Sequence, residues 1–138
     1  MQIKEIMSKD VEVVAPDAKL HEVARKMMSR DCGSVVVVED GRLVGMITDR
    51  DIALRCIADD HHPSTTNAKQ IMTPEILYCM DTDDYDEVAK NMGKNKVRRL
   101  PVLDANKRMV GIVSLGDLTK HTNYKLCGEM LGEICKAA

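Results

Sequence analysis

The chain carries the same sequence pattern twice, with the two copies about 65 residues apart. Residues 44–52 read VGMITDRDI, and residues 110–118 read VGIVSLGDL. Earlier in each copy, residues 20–27 (LHEVARKM) are matched by residues 85–92 (YDEVAKNM). Self-similarity at a fixed spacing is the signature of a duplicated folding unit. The chain is therefore expected to contain two copies of one unit, which we call the first and the second repeat.

Both repeats have the same predicted order of elements, β-α-β-β-α. Apolar residues at i, i+3, i+4 and i+7 from Leu20 predict an amphipathic helix. The four valines at 35–38 predict a strand that is covered on both faces, and the turn EDG at 39–41 predicts a hairpin. The other predicted elements are short strands at 11–14 and 77–79, a returning strand at 43–47, and a helix from Thr48 to about residue 58.

A further helix is predicted at residues 125–136, with an apolar stripe of Leu126, Met130, Leu131 and Ile134. We place the first repeat at 1–62, a polar linker at 63–70, the second repeat at 71–122 and a C-terminal helical segment at 123–138. The expected fold class is α/β. A β-α-β-β-α unit leaves an apolar sheet face that its own helices cannot cover, so the two repeats are expected to pack through their sheets as one compact module.

The composition excludes several classes of protein. The net charge is −2, and the only aromatic residues are Tyr78, Tyr85 and Tyr124. Such a chain lacks the basic surface and the aromatic platforms of nucleic-acid-binding proteins. No apolar run approaches the roughly 18 residues of a membrane span, and the first residues do not resemble a signal peptide. We therefore expect a cytoplasmic protein that binds neither nucleic acid nor membrane.

The cysteine and histidine residues do not form a recognisable catalytic or disulfide pattern. The five cysteines are odd in number and irregularly spaced, which argues against a disulfide framework. Cys56, His61 and His62 could suggest a zinc site, but no CxxC motif accompanies them, and a buried thiol beside two solvated imidazoles is the favoured interpretation. No feature of the sequence indicates a redox role for Cys127 or Cys135. The chain is expected to be neither an enzyme nor a cofactor-binding or metal-binding protein.

The repeated frame ends in a hydroxyl residue followed three positions later by an aspartate. In Thr48–Asp51 and Ser114–Asp117 this spacing matches a capping box, in which the hydroxyl and the carboxylate each accept a backbone N–H. That reading requires no ligand.

Two features of the sequence favour a ligand as well. Gly45 and Gly111 lie inside predicted strands, where glycine often marks the close approach of another backbone or of a ligand. Arg98 and Arg99 precede a strand of the second repeat, and guanidinium groups bind phosphate well. Alternatively, these arginines are solvated or pair with aspartates.

Taken together and in order, these motifs resemble the cystathionine-β-synthase-type (CBS) domain, two of which in tandem form a Bateman module. The motifs are IMS at 6–8, IMTP at 71–74, GSVVVV at 33–38, RRLPVL at 98–103, VGMIT at 44–48 and VGIVS at 110–114. The resemblance implies two repeats related by a pseudo-twofold axis, with a cleft on either side, and modules that pair into homodimers. It also implies that the clefts bind adenosine-containing ligands: AMP, ADP, ATP, S-adenosylmethionine or sometimes NAD.

The resemblance further implies two sets of ligand-binding residues. The second-repeat site would consist of Cys79, Met80, Arg98, Arg99, Ile112, Ser114 and Asp117. The first-repeat site would consist of Val14, Pro16, Gly33, Ser34, Met46, Thr48 and Asp51. In each site, the aspartate would bond the ribose and the hydroxyl residue would approach the phosphate. The apolar residue two positions before the hydroxyl residue would pack on the adenine, and the backbone of the first strand would complete the base pocket. Because the first repeat has no cation at the position of Arg98, the second is expected to be the better nucleotide site.

Two functions follow as hypotheses. The first is a stand-alone regulatory module that senses cellular energy through adenine nucleotides and signals to a separate, unidentified protein. The second is a dimeric interaction or scaffold protein whose clefts no longer bind a ligand.

Overall fold

A computed structural model describes residues 1–121 and 123–136 of the chain. Contacts between residues divide the chain into two units, one of Val11–Ile76 and one of Met1–Asp10 with Leu77–Ala138. We call these the first-repeat unit and the second-repeat unit. The first ten residues thus belong with the second repeat, although they precede the first repeat in sequence. Residues 122, 137 and 138, at the ends of the predicted second repeat and C-terminal segment, lie outside the described residues.

The first-repeat unit is built on a four-stranded sheet in the order β1-β2-β3-β4. Its strands are β1 (Val13–Val14), β2 (Ser34–Glu39), β3 (Arg42–Thr48) and β4 (Thr73–Pro74). β1 is parallel to β2, whereas β2–β3 and β3–β4 are antiparallel. Asp40 and Gly41 have positive φ angles of 53° and 77°, which confirms the predicted hairpin turn.

The helices of this unit cover one face of the sheet. They are α1 (Leu20–Arg30), α2 (Asp49–Asp51), which continues as a π-helical turn (Ile52–Ile57), and α3 (Ala68–Ile71). The predicted helix from Thr48 to about residue 58 is therefore confirmed in its extent, although after its first turn it is a π-helix. The predicted linker also ends in a helix, α3. The core joins Leu20, Val23 and Met27 of α1 to Val35, Val37 and Ile47 of the sheet.

The second-repeat unit has a three-stranded sheet in the order β5-β6-β7. Its elements are a 3₁₀ turn (Ile3–Glu5), β5 (Cys79–Met80), α4 (Tyr85–Asn95), β6 (Arg99–Leu103), β7 (Met109–Ser114), α5 (Leu115–Thr119) and α6 (Tyr124–Cys135). β5 is parallel to β6, and β6 is antiparallel to β7. Its buried core contains Ile3, Val88, Ala89, Met92, Leu100, Val102, Val113, Leu118, Met130 and Ile134.

The first strand of each repeat is shorter than predicted. Only Val13 and Val14 pair with β2, and only Cys79 and Met80 pair with β6. Leu77, predicted to begin a strand, is half exposed and lies outside the sheet. The apolar residues at 11–14 and 77–79 predicted that a strand is present, but they did not specify which of these residues pair with the neighbouring strand.

The C-terminal helix α6 packs on α4, but not with the whole predicted stripe. Met130 and Ile134 are buried and Leu126 is half-buried, whereas Leu131 is 41% exposed. Three residues of the predicted stripe, Leu126, Met130 and Ile134, thus pack in the core of this unit, and Leu131 remains exposed. Gly93 allows this close packing, since a Cβ there would lie 3.2 Å from the Cα of Met130.

Gly45 and Gly111 mark the same contact in the two units. A Cβ on Gly111 would lie 2.8 Å from the carbonyl oxygen of Ser8 and 2.6 Å from the sulfur of Met7. A Cβ on Gly45 would lie 2.9 Å from the carbonyl oxygen of Thr73 and 2.6 Å from the sulfur of Met72. Of the two explanations left open by the sequence, the structure therefore shows the approach of another backbone.

Two α/β units with the same order of elements, followed by a C-terminal helix, confirm the predicted fold class. Within residues 1–121 and 123–136, no helix has the length and apolar character needed to cross a membrane.

Candidate functional site

In the second repeat, the repeated frame forms a complete capping box at the start of α5. The backbone N–H of Asp117 donates to Oγ of Ser114 (3.2 Å). In return, Oδ2 of Asp117 accepts the backbone N–H and the hydroxyl of Ser114, both at 2.8 Å. The predicted cap is confirmed. Oδ1 of Asp117 accepts no hydrogen bond from the described residues, and Asp117 is partly exposed.

The first repeat forms the same cap with a different neighbour. Asp51 N–H donates to Oγ1 of Thr48 (3.1 Å), and Oδ2 of Asp51 accepts the Thr48 N–H (2.9 Å). Here Oδ1 of Asp51 lies 3.7 Å from Nε of Arg55. Arg55 also donates from Nη1 to the carbonyl oxygen of Ile71 (3.0 Å). Oδ1 of Asp51 therefore already has a cationic neighbour, Arg55, which is held in position by its hydrogen bond to Ile71.

Arg98 lies beside the capped end of α5. Its carbonyl oxygen accepts the backbone N–H of Leu115, the first residue of that helix, at 2.8 Å. The Arg98 side chain is exposed, and within residues 1–121 and 123–136 it has no ion-pair partner. The backbone of Arg98 therefore lies at the capped start of α5, and this residue carries an exposed guanidinium.

Gly33 occupies the matching position in the first repeat, since its carbonyl oxygen accepts the N–H of Asp49 at 3.0 Å. The neighbouring side chain is a carboxylate: a Cβ on Gly33 would lie 3.2 Å from Oδ2 of Asp49. The first repeat therefore has a negative charge where the second has Arg98. The sequence analysis identified the missing cation but not the role of Asp49, because its approach to residue 33 appears only in the folded chain.

The sheet register brings the remaining polar and apolar site residues to one face. In the second repeat, Arg99 pairs with Ser114, and Ile112 lies two residues earlier on the same face. In the first repeat, Ser34 pairs with Thr48, and Met46 is two residues before it. Because side chains alternate along a strand, each set shares a face of its sheet, as the resemblance implies.

The predicted site residues at and after the first strands are engaged within their own units. Val14 and Cys79 are buried in the cores of their units. The N–H of Met80 donates to Oδ2 of Asp83 (2.8 Å), and the carbonyl oxygen of Pro16 accepts the N–H of Lys69 (2.9 Å). These two backbone groups are therefore already hydrogen-bonded within their own units.

Comparison with known protein families identifies this arrangement. The CBS domain model matches the chain twice, at residues 3–57 and 68–123. The chain belongs to the CBS domain family. The two matches correspond to the repeats recognised from the sequence.

Several relatives share most of the CBS pair. CBS domain-containing protein YhcV of Bacillus subtilis is 37% identical over 116 residues, which are 84% of this chain and 81% of YhcV. Hypoxic response protein 1 of Mycobacterium tuberculosis is 31% identical over 133 residues, 96% of this chain and 92% of that protein.

Three solved CBS structures are informative. The structure of Hypoxic Response Protein I contains two coordinated zinc ions. It matches this chain with a TM-score of 0.80 at 31% identity, and the match covers 89% of this chain and 100% of the Hypoxic Response Protein I chain. The CBS pair of protein MJ0100 was solved with 5′-methylthioadenosine and S-adenosylmethionine; its TM-score is 0.74 at 29% identity, covering 87% and 94% of the two chains. CBSX2 in complex with AMP has a TM-score of 0.74 at 23% identity, covering 86% and 93%, and shows the shared fold alone.

The residues considered for a zinc site make other hydrogen bonds in this CBS pair. The thiol of Cys56 is buried and donates to the carbonyl oxygen of His61 (3.3 Å). Nδ1 of His62 is 2.6 Å from Oγ of Ser64. In the part of the chain that the structure describes, no group of three or more His, Cys, Asp or Glu side chains is arranged to hold a metal ion.

Cys79 gives the second repeat a pH-dependent stability. Burial, reinforced by the nearby Asp83 carboxylate, raises the pKa of the Cys79 thiol from 9.0 to about 12. The unfolded chain therefore loses this proton at lower pH than the folded chain, so stability decreases as pH rises from 9 towards 12. Urea denaturation at several pH values should show a shallower decrease for Cys79→Ala than for the wild type. Cys135→Ala, which removes an exposed thiol, should behave like the wild type; equal slopes for all three proteins would contradict the prediction.

Proposed function

We propose that the chain is a regulatory CBS pair whose second repeat binds an adenosine phosphate. The observation that carries this proposal is the position of Arg98, a solvated cation whose carbonyl is bonded to the first turn of α5 (2.8 Å). A ligand at this cap would meet a hydroxyl, an open carboxylate oxygen and a guanidinium together.

Each group has a distinct role in the proposed complex. Oδ1 of Asp117 accepts hydrogen bonds from the ribose hydroxyls, because Oδ2 is already used by the cap. Arg98 binds the phosphate, for which the planar guanidinium provides paired N–H donors. Ile112, two residues before Ser114 on the same face, packs on the adenine ring.

Complexes of related proteins support the ligand class. The MJ0100 pair, at 29% identity, holds two adenosine-containing molecules. CBSX2, which has the same fold, holds AMP. Fold alone does not select a ligand, and the choice of a phosphorylated adenosine for this chain rests on Arg98.

The proposed output is regulatory rather than catalytic. A ligand that binds one conformation more tightly shifts the population of that conformation. We propose that adenine nucleotide levels are transmitted in this way to a separate protein, and that the CBS pair acts as a homodimer.

A thermal-shift series tests the ligand. Adenosine, AMP, ATP and S-adenosylmethionine are added to the full chain, with guanosine monophosphate as the base control. A ligand at 100 times its Kd stabilises the folded state by about 2.7 kcal/mol, which raises the melting temperature by several degrees. If no adenosine compound shifts the melting temperature at millimolar concentration, the proposal is wrong and the scaffold hypothesis is favoured.

Arg98→Ala tests how the phosphate is bound. Loss of a charged hydrogen bond weakens AMP binding by roughly tenfold, whereas adenosine, which has no phosphate, binds as before. Isothermal titration calorimetry measures both affinities. Arg42→Ala is the matched control, because Arg42 is also an exposed arginine at the end of a strand but belongs to the first repeat. Equal losses for AMP and adenosine would argue against a phosphate contact.

A further inference from the structure

A groove of about 460 Å³ runs between α4 and α6 in the second-repeat unit. Its floor consists of Gly93 of α4 with Leu126 and Met130 of α6, which are all buried or half-buried. The second CBS match ends at residue 123, and α6 begins at Tyr124. One side of the groove is therefore formed by a helix that lies outside the CBS repeats.

The groove forms where α4 and α6 approach each other closely at a glycine. A Cβ on Gly93 would lie 3.2 Å from the Cα of Met130 and 3.7 Å from the Cβ of Glu133. Because Gly93 has no side chain, the space above this contact is not filled from α4. The longer side chains on either side of the contact form the two walls of the groove.

The two walls have opposite charges. Lys90 and Lys94, one helical turn apart, form the wall on α4, whereas Glu129 and Glu133, also one turn apart, form the wall on α6. All four side chains are exposed. Among the described residues, no ion pair joins one wall to the other. The fold therefore places a cationic and an anionic surface side by side without pairing them.

Only two of these four charges have partners elsewhere. Lys90 and Glu133 each form an ion pair within their own helix, at 3.4 Å and 2.8 Å. Lys94 and Glu129 have no ion-pair partner in residues 1–121 and 123–136. An unpaired cation on α4 and an unpaired anion on α6 therefore lie on opposite sides of an apolar floor.

We propose that this groove binds a free α-amino acid with a large apolar side chain, such as phenylalanine or leucine. The carboxylate of the ligand pairs with Lys94, its ammonium group pairs with Glu129, and its side chain packs on Leu126 and Met130. A ligand with one charge would leave the opposite wall unmatched. A zwitterion without an apolar part would leave the floor hydrated, so the ligand needs all three parts.

The dimensions of the groove agree with a ligand of this size. A volume of about 460 Å³ lies within the range of small-molecule sites, about 300–1,000 Å³. The flexible thioether of Met130 can adapt to side chains of different shape. No residue that lines the groove belongs to the proposed nucleotide site. This site is thus a second input to the CBS pair and does not depend on the nucleotide proposal.

L-Phenylalanine is the probe for this site. Two-dimensional NMR of the ¹⁵N-labelled full chain should show saturable shifts of the backbone amides at 90–94 and 126–133, both with and without AMP. A Kd on the order of 1 mM is expected for a ligand of about 12 heavy atoms. No saturable shift at about 20 mM, well above this Kd, or saturable shifts confined to other residues, would overturn the proposal.

Three analogues each lack one part of the ligand. Phenylethylamine has no carboxylate, 3-phenylpropanoate has no ammonium group, and glycine has no apolar side chain. Each should bind roughly fivefold more weakly than phenylalanine or worse, because it loses a partly exposed ion pair or the apolar contact. If any of the three binds as tightly as phenylalanine, the groove does not recognise an apolar amino acid and the proposal is wrong.

Single-charge variants identify the residues that hold the ligand. Lys94→Gln should weaken phenylalanine binding roughly fivefold and leave phenylethylamine binding unchanged. Glu129→Gln should weaken phenylalanine binding to a similar extent and leave 3-phenylpropanoate binding unchanged. Both residues are exposed, so both variants should fold.

Lys125→Gln is the matched control, because Lys125 is exposed on α6 but does not line the groove. It should bind phenylalanine as the wild type does. Unchanged phenylalanine affinity in both groove variants, or an equal loss of affinity in Lys125→Gln, would overturn the proposal.

Discussion

Replacing Gly111 with alanine is expected to lower the free energy of unfolding by about 1–3 kcal/mol, the usual cost of inserting atoms into a packed site. The new methyl group would lie 2.8 Å from the carbonyl oxygen of Ser8, a distance that real Cβ atoms essentially never show. Ser8 cannot move away freely, because its N–H and its carbonyl oxygen both bond Ile112 at 2.9 Å. Urea denaturation followed by circular dichroism measures the change.

Gly132→Ala is the control, because a Cβ at this position in α6 meets nothing within 4 Å. Alanine in a helix is more stable than glycine by about 0.5–1 kcal/mol, so this variant should be slightly more stable than the wild type. An unchanged or higher stability for Gly111→Ala would show that the segment at residues 7–8 is held more loosely than the structure indicates.

These glycines show the limit of sequence reasoning about contacts. Their position inside predicted strands indicated a close approach, and that prediction is confirmed. The approaching residue could not be predicted, since Met7 and Ser8 are more than 100 residues from Gly111 in the chain. The contact exists because the first ten residues join the second-repeat unit rather than the repeat that they precede.

Local features were predicted more fully than distant ones. The caps at Thr48 and Ser114 depend on residues three positions apart, so the sequence contains both partners of each hydrogen bond. The central hairpins follow from apolar runs and a turn, which are also local. By contrast, the exposure of Leu131 depends on how α6 rests on α4, and periodicity within α6 does not specify that.

The same distinction applies to the candidate site. The sequence indicated that the first repeat lacks a cation, because Gly33 and Arg98 align. The added carboxylate of Asp49 beside Gly33 and the contact of Asp51 with Arg55 required the folded chain. The carboxylate of Asp49 makes the first repeat less favourable for a phosphate because it adds negative charge, and Arg55 already contacts Oδ1 of Asp51, the oxygen that a ribose would need.

Replacing Asp117 with alanine is expected to reduce the AMP-induced rise in melting temperature by about half or more, whereas Asp51→Ala leaves it in place. Both variants lose the same cap and therefore about 0.5–2 kcal/mol of stability without ligand. Only Asp117 combines an open Oδ1 with the solvated cation of Arg98. Loss of a charged hydrogen bond to ribose costs about 1.5–3 kcal/mol, or roughly 10- to 100-fold in AMP affinity. Thermal-shift titrations compare each variant with its own ligand-free melting temperature.

Asp117→Asn separates the two roles of this side chain. Its amide oxygen can still accept the Ser114 N–H, so most of the cap should survive, but the amide lacks the negative charge that strengthens bonds to ribose hydroxyls. The AMP-induced rise in melting temperature should be largest for the wild type and Asp51→Ala, smaller for Asp117→Asn and smallest for Asp117→Ala. A full shift in Asp117→Ala would mean that Asp117 is a helix cap alone. Loss of the shift in Asp51→Ala, with Asp117→Ala unaffected, would place the nucleotide in the first repeat and show that Arg55 does not block Asp51.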